Sequence, residues 1–218
     1  MTRNAKQRLS PVRLKGRPAK TEMRDHWTVV LEYADEGTGP WLADLSHCTR
    51  LDIQGRPLDA RMPEGIPTPE IPGGVRIQGS VAVARMGSAQ AWLWRFGADP
   101  DLPPHFGRTE ITEGTLGLAI MGENTFRITE KLTSLDLQPP GRTPPFLLQG
   151  PFSHVPSQIM VIGTEPGREL VILGCSRGYG HDMVHALTDA GMEFDLRSAG
   201  ERRFADMLQA ATTTSPSA

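Results

Sequence analysis

The stretch Ser176–Gly200, SRGYGHDMVHALTDAGMEFDLRSAG, decides how we interpret the rest of the chain. Its first half has the spacing of an amphipathic helix, which we predict over Tyr179–Ala190 with Gly191 as its cap, and its last residues predict an extended segment. Upstream, two apolar runs that start near Phe152 predict strands joined by the turn TEPGR. Two strands followed by a helix indicate an α+β unit, and we extend this unit back to Glu110.

Most of the remaining chain predicts short strands separated by turns. The longest irregular segment, residues 56–74, carries five prolines, which exclude a helix or a central strand, so we predict an extended loop there. The 19 prolines and 23 glycines of the whole chain agree with many short elements. Strands are predicted at His26–Tyr33, within Trp41–Gly55, at Val75–Met86, at Gln90–Phe96 and within Thr109–Gly122, and a further helix across Glu123–Leu137.

The predicted fold class is α+β, with two small lobes of mainly antiparallel sheet and flanking helices. The Pro-rich segment after Phe96 is the best candidate for a boundary between the lobes, because the strand pattern restarts beyond it. The predicted organisation is a basic disordered arm at 1–24, an N-terminal lobe at 25–97 that contains the Pro-rich loop 56–74, a connector at 98–108, a C-terminal lobe at 109–204 and a tail at 205–218.

Length and composition indicate an ordinary globular protein. The chain has 218 residues, of which 38% are hydrophobic and 22% charged, and it contains no run of about 18 apolar residues that could span a membrane. No apolar segment near the N-terminus predicts an export signal. Cys48 and Cys175 lie 127 positions apart and do not suggest a disulfide framework. We therefore expect two reduced thiols in a cytoplasmic protein.

Charge is unevenly distributed along the chain. Residues 1–24 hold eight Lys or Arg and one acid, a net charge of +7, whereas the other residues together carry a net charge of −9. A basic arm can bind nucleic acid or an acidic protein surface. The arm has no interleaved aromatic residues and no nucleic-acid reading motif, so we favour a solvated arm or one that docks on a partner subunit.

No motif in the sequence identifies a reaction. The glycine-rich pieces form neither a GxGxxG dinucleotide loop nor a P-loop, so no NAD, FAD or ATP site is predicted in this chain. His181 and His185 have the i,i+4 spacing of a metal-binding pair but lack a third ligand. If Ser46–Cys48 lie in a strand, neighbouring side chains point to opposite faces, and His47 cannot assist either neighbour. We therefore predict no catalytic residue and no metal site.

Two segments resemble a known family. The run EITEGTLGLAIMGENTFRITEKLTSLDL, Glu110–Leu137, looks like the signature of the glycine-cleavage T-protein (aminomethyltransferase) superfamily, in which a short acid-led element precedes a strand, a glycine and a helix. The run RGYGHDMVHALTDAGMEFDLRSAG, Arg177–Gly200, is similar to that superfamily's helix and AG-x-E-F ending. Among the branches, the chain most resembles the gamma subunit of heterotetrameric sarcosine oxidase and its N-methylglutamate dehydrogenase relatives. The match is moderate over Glu110–Gly200, loose over Leu42–Phe96, and does not extend to the arm or the proline loop.

The resemblance implies a role without catalysis. The catalytic T-protein carries an aspartate on the strand after its PGR element, whereas this chain has no Asp or Glu between Gly141 and Gly163. The resemblance therefore implies a non-catalytic gamma-type subunit of a flavoprotein that oxidatively demethylates N-methyl amines. Larger alpha and beta subunits would be its partners and would carry FAD, FMN, NAD and tetrahydrofolate, with no cofactor bound by this chain alone. The alternatives are a stand-alone tetrahydrofolate-dependent aminomethyl- or methyltransferase, with Glu110, Glu113 or Asp136 as its carboxylate, and a nucleic-acid binder.

A subunit role requires an interface. Trp92, Trp94 and Phe96 share one face of a predicted strand, and this face is either part of the core, which we favour, or a contact surface, where tryptophan and arginine are enriched. The basic arm, the proline loop and the exposed side of the last helix are further candidates. The predicted subunit interface comprises Trp92, Trp94, Arg95, Pro67, Pro69, Arg13, Arg17, His181 and His185.

Overall fold

The computed structural model describes residues 7–97 and 105–213. Residues 1–6 of the predicted arm, 98–104 of the predicted connector and 214–218 of the predicted tail lie outside the described residues. The strands are β1 (Pro18–Arg24), β2 (Trp27–Tyr33), β3 (Trp41–Asp44), β4 (Thr49–Gln54), β5 (Val75–Gln78), β6 (Val81–Gly87), β7 (Gln90–Arg95), β8 (Arg108–Glu110), β9 (Thr115–Met121), β10 (Phe146–Phe152), β11 (Val155–Gly163), β12 (Leu170–Ser176) and β13 (Arg197–Ala199). The α-helices are α1 (Thr125–Thr129), α2 (Gly180–Gly191) and α3 (Glu201–Thr213).

The strands form two sheets and a separate ribbon. The six-stranded sheet has the order β10–β11–β12–β9–β3–β13, and its neighbouring strands are antiparallel except for β3 and β13. The five-stranded sheet has the order β5–β6–β7–β4–β8 and is antiparallel throughout. β1 and β2 form an antiparallel two-stranded ribbon, which we call the N-terminal ribbon. The predicted class, α+β with mainly antiparallel sheets and flanking helices, is confirmed.

The two sheets do not follow the two halves of the chain. β3 comes from the N-terminal half, but it lies between β9 and β13 in the six-stranded sheet. β8 begins at the end of the predicted connector, but it pairs with β4 in the five-stranded sheet. The cause is a turn at residues 45–48, which breaks the single strand predicted within Trp41–Gly55 and directs β3 and β4 into different sheets. Each sheet therefore contains strands from both sides of the predicted boundary at 98–108.

The main core lies between the two sheets. Trp94 on β7 is 1% exposed and belongs to the apolar cluster that both sheets share. At Gly117 on β9 and Gly174 on β12, a Cβ atom would lie only 2.8 and 3.0 Å from the Trp94 ring. Glycine at both positions therefore allows the ring to pack directly against the backbone of the six-stranded sheet, as close packing of the core requires.

Helices and a loop cover the remaining apolar faces. Met183 and Leu187 of α2 pack on the outer face of the six-stranded sheet. Leu58 in the Pro-rich loop covers the outer face of the five-stranded sheet. α3 closes one end of the space between the sheets, where Phe204 and Phe96 meet edge to face with ring centroids 5.0 Å apart.

The prediction of a disordered arm is wrong for residues 7–24. β1 pairs with β2 in a defined register, Leu14 is buried against the core, and the Arg8 guanidinium lies 5.0 Å from the centre of the Trp27 ring. The arm has too few apolar residues to fold by itself, but β2 supplies the pairing partner that its sequence lacks.

Two predictions for the C-terminal half of the chain are also wrong. The tail predicted from residue 205 is helical as far as Thr213, because Phe204, Met207 and Leu208 form a buried stripe on α3. The helix predicted across Glu123–Leu137 is reduced to the short α1, and the residues after it form turns. None of the helices in the described ranges is long and apolar enough to cross a membrane.

Candidate functional site

Four titratable side chains meet at the start of α3. Glu201 opens the helix, and Arg24 at the end of β1 donates to both of its oxygens, with Nη1 2.7 Å from Oε1 and Nη2 2.9 Å from Oε2. His47 Nε2 lies 2.9 Å from Glu201 Oε1 and 3.6 Å from Cys48 Sγ. The side chains of Arg24, Glu201 and His47 are 20%, 12% and 8% exposed, so water is largely excluded. We call these four residues the ion-pair cluster.

The ion-pair cluster is charged at neutral pH. Burial disfavours the imidazolium form of His47, but the neighbouring Cys48 sulfur and Glu201 carboxylate outweigh this effect and raise the pKa of His47 to about 10. Burial likewise disfavours the carboxylate form of Glu201, but hydrogen bonds and charges from His47 and Arg24 lower its pKa to about 2. One carboxylate therefore lies between two cations, and each buried charge has a partner.

The arrangement differs from a nucleophile–histidine–carboxylate triad. In a triad, the nucleophile bonds one ring nitrogen of the histidine and the carboxylate bonds the other. Here Cys48 and Glu201 approach the same nitrogen, Nε2 of His47, so the carboxylate cannot orient the ring toward the thiol from its far side. Cys48 is also only 2% exposed, which keeps a substrate away from its sulfur.

The cluster also differs from a metal centre, although it contains ligand atoms. Donor atoms of His47, Cys48 and Glu201 all lie within 4.8 Å of one another. Arg24 already occupies both carboxylate oxygens, and its positive charge would repel a cation at the same position. We therefore assign the cluster a structural role: it joins the N-terminal ribbon, the turn at residues 45–48 and α3.

The prediction that Ser46–Cys48 lie in a strand is wrong, and it concealed this cluster. These residues form a turn in which Asp44 Oδ1 accepts a hydrogen bond from the Ser46 N–H at 2.8 Å. The turn has a sequence signal, because an aspartate two residues before the bonded amide is typical of an Asx-turn. The partner Glu201 has no such signal, since it lies 154 positions from His47.

A cavity borders the cluster. It is a groove of about 530 Å³ between α3 and the ends of β5 and β7, with apolar walls that include Ile77, Phe96 and Leu208. Glu201 is the one carboxylate that lines it in the described ranges, and both of its oxygens are bonded to Arg24. A pterin or an amine in this groove would therefore find no free carboxylate among the described lining residues.

A second cavity, of about 380 Å³, lies under the arm and is lined in part by Tyr33, Asp44 and His47. Its carboxylate is also engaged, because Asp44 accepts hydrogen bonds from the Ser10 hydroxyl at 2.5 Å and from the Ser46 amide. Burial, together with the negative charges of Asp44 and a nearby glutamate, raises the pKa of Tyr33 to about 12. The phenol therefore stays protonated at neutral pH.

The three carboxylates considered for a stand-alone transferase lie at the surface. The side chains of Glu110 and Glu113 are 55% and 59% exposed, and both pair with Arg8, at 3.4 and 2.9 Å. Asp136 is exposed and accepts a hydrogen bond from the backbone N–H of Gln138 at 2.9 Å. None of the three lines either of the two cavities above.

His181 and His185 lie on the exposed side of α2. Their side chains are 91% and 68% exposed, and each imidazole faces an aspartate of its own helix, Asp182 at 3.5 Å and Asp189 at 3.1 Å. Both histidines therefore face solvent, and each forms its own pair with an aspartate.

The structure corrects part of the predicted interface. Trp92 and Trp94 are 9% and 1% exposed, because the inner face of β7 is covered by the six-stranded sheet and α3. Arg95 points to the opposite face of β7 and is 6% exposed. Pro69 in the Pro-rich loop is buried as well. These four side chains cannot form a contact surface without unfolding the chain. The residues of the prediction that remain exposed are Pro67, Arg13, Arg17, His181 and His185.

We expect both thiols to resist alkylation in the native protein. Cys48 and Cys175 are free and each 2% exposed, and burial raises the pKa of Cys175 to about 11. Iodoacetamide should modify them at least about a hundredfold more slowly in buffer than in denaturant, as judged by intact-mass spectrometry. Rapid native modification of Cys48 would contradict this prediction and would reopen a nucleophilic role for the cluster.

Comparisons with known proteins connect this geometry to a fold. No protein-family model matches the chain, and no curated protein matches its sequence. A chain of the heterotetrameric sarcosine oxidase from Corynebacterium sp. U-96, solved in complex with pyrrole 2-carboxylate, superposes with a TM-score of 0.58 at 18% identity, over 70% of this chain and 84% of that chain. The glycine cleavage system aminomethyltransferase T from Bartonella henselae gives a TM-score of 0.47 at 14% identity, over 85% of this chain and 57% of that chain.

The similarity defines a class of fold. The chain has an α+β fold, as the sequence predicted, and it resembles a chain of heterotetrameric sarcosine oxidase in three dimensions. An identity of 18% supports the fold and leaves activity to be argued from the chain's own residues.

Proposed function

We propose that this protein is a non-catalytic, gamma-type subunit of a heteromeric flavoprotein that oxidatively demethylates an N-methyl amine such as sarcosine or N-methylglutamate. The observation that carries the proposal is the superposition on a chain of heterotetrameric sarcosine oxidase, which covers most of both chains. In this proposal FAD, FMN, NAD and tetrahydrofolate are bound by larger partner subunits. The complex would work in the cytoplasm, where the two unpaired thiols, Cys48 and Cys175, remain reduced.

The state of the carboxylates supports a role without catalysis. A folate-dependent transferase needs a carboxylate that can hold a substrate nitrogen inside a cavity. Glu201 and Asp44 line the two cavities described above, and hydrogen bonds within the chain already engage both oxygens of each. The low pKa of Glu201, about 2, also removes it as a proton donor or acceptor near neutral pH.

Purification from the native host tests the proposal. We expect a tagged chain to co-purify with larger flavoprotein chains in a yellow eluate that oxidises sarcosine or N-methylglutamate. Mass spectrometry identifies the chains, and the visible spectrum reports the flavin. A colourless chain that purifies alone under mild conditions would contradict the proposal.

Tetrahydrofolate titration of the isolated chain separates the subunit from a stand-alone transferase. We expect no calorimetric binding signal up to about millimolar ligand, because no free carboxylate faces these two cavities among the described residues. In a third cavity, of about 360 Å³, Asp35 and Asp195 both pair with Arg197. Micromolar binding that is lost in Asp44→Asn but retained in the exposed control Asp136→Asn would overturn the non-catalytic proposal.

A further inference from the structure

The third cavity, of about 360 Å³, lies between residues 14–17 and the outer edge of β13, and we call it the edge cavity. Its volume lies within the range of small-molecule sites. Leu14 and Leu42 are buried, Leu196 is half-buried, and together they give the cavity an apolar wall. This wall can pack against a hydrocarbon group of a ligand.

The strand β13 contributes an unpaired backbone N–H. β13 pairs with β3 in parallel, and Arg197 donates its N–H to the Pro40 carbonyl at 2.9 Å. Successive residues of a paired strand alternate in direction, so Ser198, which lines the edge cavity, directs its N–H and C=O away from β3. β13 is the last strand of its sheet, and no other strand in the described ranges pairs with that edge.

The same edge already binds a carboxylate within the chain. Gly200 lies two positions after Ser198, so its N–H points to the same side, and it donates to Glu36 Oε1 at 2.9 Å. Backbone N–H groups at the edge of a sheet form concave sites for anions. The N–H of Ser198 is therefore suited to bind a second carboxylate, which no described residue supplies.

Two cations that line the edge cavity have no counter-charge. The side chains of Lys15 and Arg17 are exposed, and neither has an ion pair or a hydrogen bond with a residue in the ranges 7–97 and 105–213. The backbone that carries them is fixed, because Leu14 is buried and the Ala34 N–H donates to the Arg17 carbonyl at 3.0 Å. These cations are therefore held beside the cavity before any ligand binds.

The acidic residues of the edge cavity do not cancel this charge. The side chains of Asp35 and Asp195 are 75% and 73% exposed, and both pair with Arg197, at 3.3 and 2.7 Å. Arg197 Nε is buried and has no acceptor among the described residues. The three cations and two acids of the lining leave a net charge of +1, which complements a ligand with one negative charge.

We propose that the edge cavity binds a small organic acid with one carboxylate and a short hydrocarbon chain. The carboxylate accepts a hydrogen bond from the Ser198 N–H and pairs with Lys15 and Arg17. The hydrocarbon chain lies against Leu14 and Leu42. The inference is independent of the proposed function, because carboxylate binding by the full chain requires no flavoprotein.

The first test titrates the full chain, labelled with ¹⁵N, with sodium hexanoate. We expect the Ser198 amide resonance to shift and its exchange with solvent to slow at saturation, whereas the Gly200 amide is already protected in the free chain by Glu36. From acetate to hexanoate, affinity should rise about threefold per added methylene, and salt should weaken binding. An unchanged Ser198 amide under tens of millimolar hexanoate would overturn the proposal, as would inorganic phosphate, glutarate or hexylamine that binds as tightly as hexanoate.

Variants give the second test. Lys15→Gln with Arg17→Gln should weaken hexanoate binding about fivefold, because both cations act on the same carboxylate. Lys20→Gln with Arg76→Gln is the matched control, since it removes the same charge from two exposed residues outside the edge cavity and should bind like the parent protein. All four positions are exposed, so both variants should keep the circular dichroism spectrum of the parent. Equal hexanoate affinity in the two variants would contradict the proposal.

Discussion

Replacing Arg50 by methionine is expected to lower the free energy of unfolding by about 4 kcal/mol, because it leaves several buried acceptors without a donor. Arg50 is 0% exposed and donates to the carbonyl oxygens of Leu45, Ser46 and Thr112 at 2.7–2.9 Å. Its Nε donates to the Thr115 hydroxyl at 2.8 Å. Methionine fills a similar volume but has no donor for any of these atoms.

Arg50 is an unusual buried charge. Backbone oxygens and an aromatic ring, rather than a carboxylate, stabilise its guanidinium group. Its guanidinium lies 5.0 Å from the centre of the Trp94 ring, in the core between the two sheets. Burial lowers the pKa of Arg50 to about 10, so it remains protonated at neutral pH. Its fork of donors joins β4, the turn at residues 45–48 and the start of β9.

Urea unfolding, followed by circular dichroism, measures the stability that Arg50→Met loses. Arg50→Lys keeps the charge but not the planar fork, so we expect it to lose about half as much stability as Arg50→Met. Arg76→Met is the matched control, because Arg76 is an exposed arginine in the same sheet, and its midpoint should hardly move. An Arg50→Met variant as stable as the control would show that the five-stranded sheet does not depend on this network.

The sequence predicts the elements whose pattern is local. β2, β7 and β12 are strongly apolar or β-branched runs between turns, and α2 has a clear helical stripe with a glycine at its end. These elements lie close to their predicted positions, because burial and periodicity are encoded within each segment.

The sequence-based predictions did not include β1 or α3. β1 depends on a partner strand, whereas α3 has a local helical pattern. β1 is exposed on nearly its whole length, so no apolar pattern marks it, and it is a strand only because β2 lies beside it. α3 does carry a helical stripe at Phe204, Met207 and Leu208, so the sequence contains a local signal for this helix. The aromatic face of β7 was recognised, but only the three-dimensional packing decides that it is core.

Replacing Glu201 by glutamine is expected to lower the free energy of unfolding by about 3 kcal/mol near pH 6, because Arg24 and His47 then lose the carboxylate that lies between them, and Arg24 keeps only its 3.4 Å pair with the more exposed Glu22. Glutamine keeps the shape of the side chain, so the loss reports the charge. The pKa of His47 should fall below its value in the parent protein, since Glu201 no longer raises it, although the neighbouring Cys48 sulfur still does. A pH titration of the His47 ring by NMR measures this shift directly.

The pH dependence of stability follows from the directions of the two shifts. The pKa of His47 is raised to about 10, so its contribution is complete below 6.5 and is lost as pH rises through 10. The pKa of Glu201 is lowered to about 2, so its contribution is complete above 4.5 and is lost as pH falls through 2. We therefore expect the parent protein to be most stable between about pH 5 and 6.5, and Glu201→Gln to show a flatter profile on both sides.

Glu193→Gln is the control for Glu201→Gln. Glu193 also pairs with a cation, Lys131, but its side chain is 61% exposed, so solvent screens the pair and its removal should change urea stability very little. The double variant Glu201→Gln with His47→Gln should lose less stability than the sum of the two single variants, because the two residues interact directly. Strict additivity, or a pH profile of Glu201→Gln that parallels the parent, would mean that the ion-pair cluster does not hold the N-terminal ribbon and α3 together through charge.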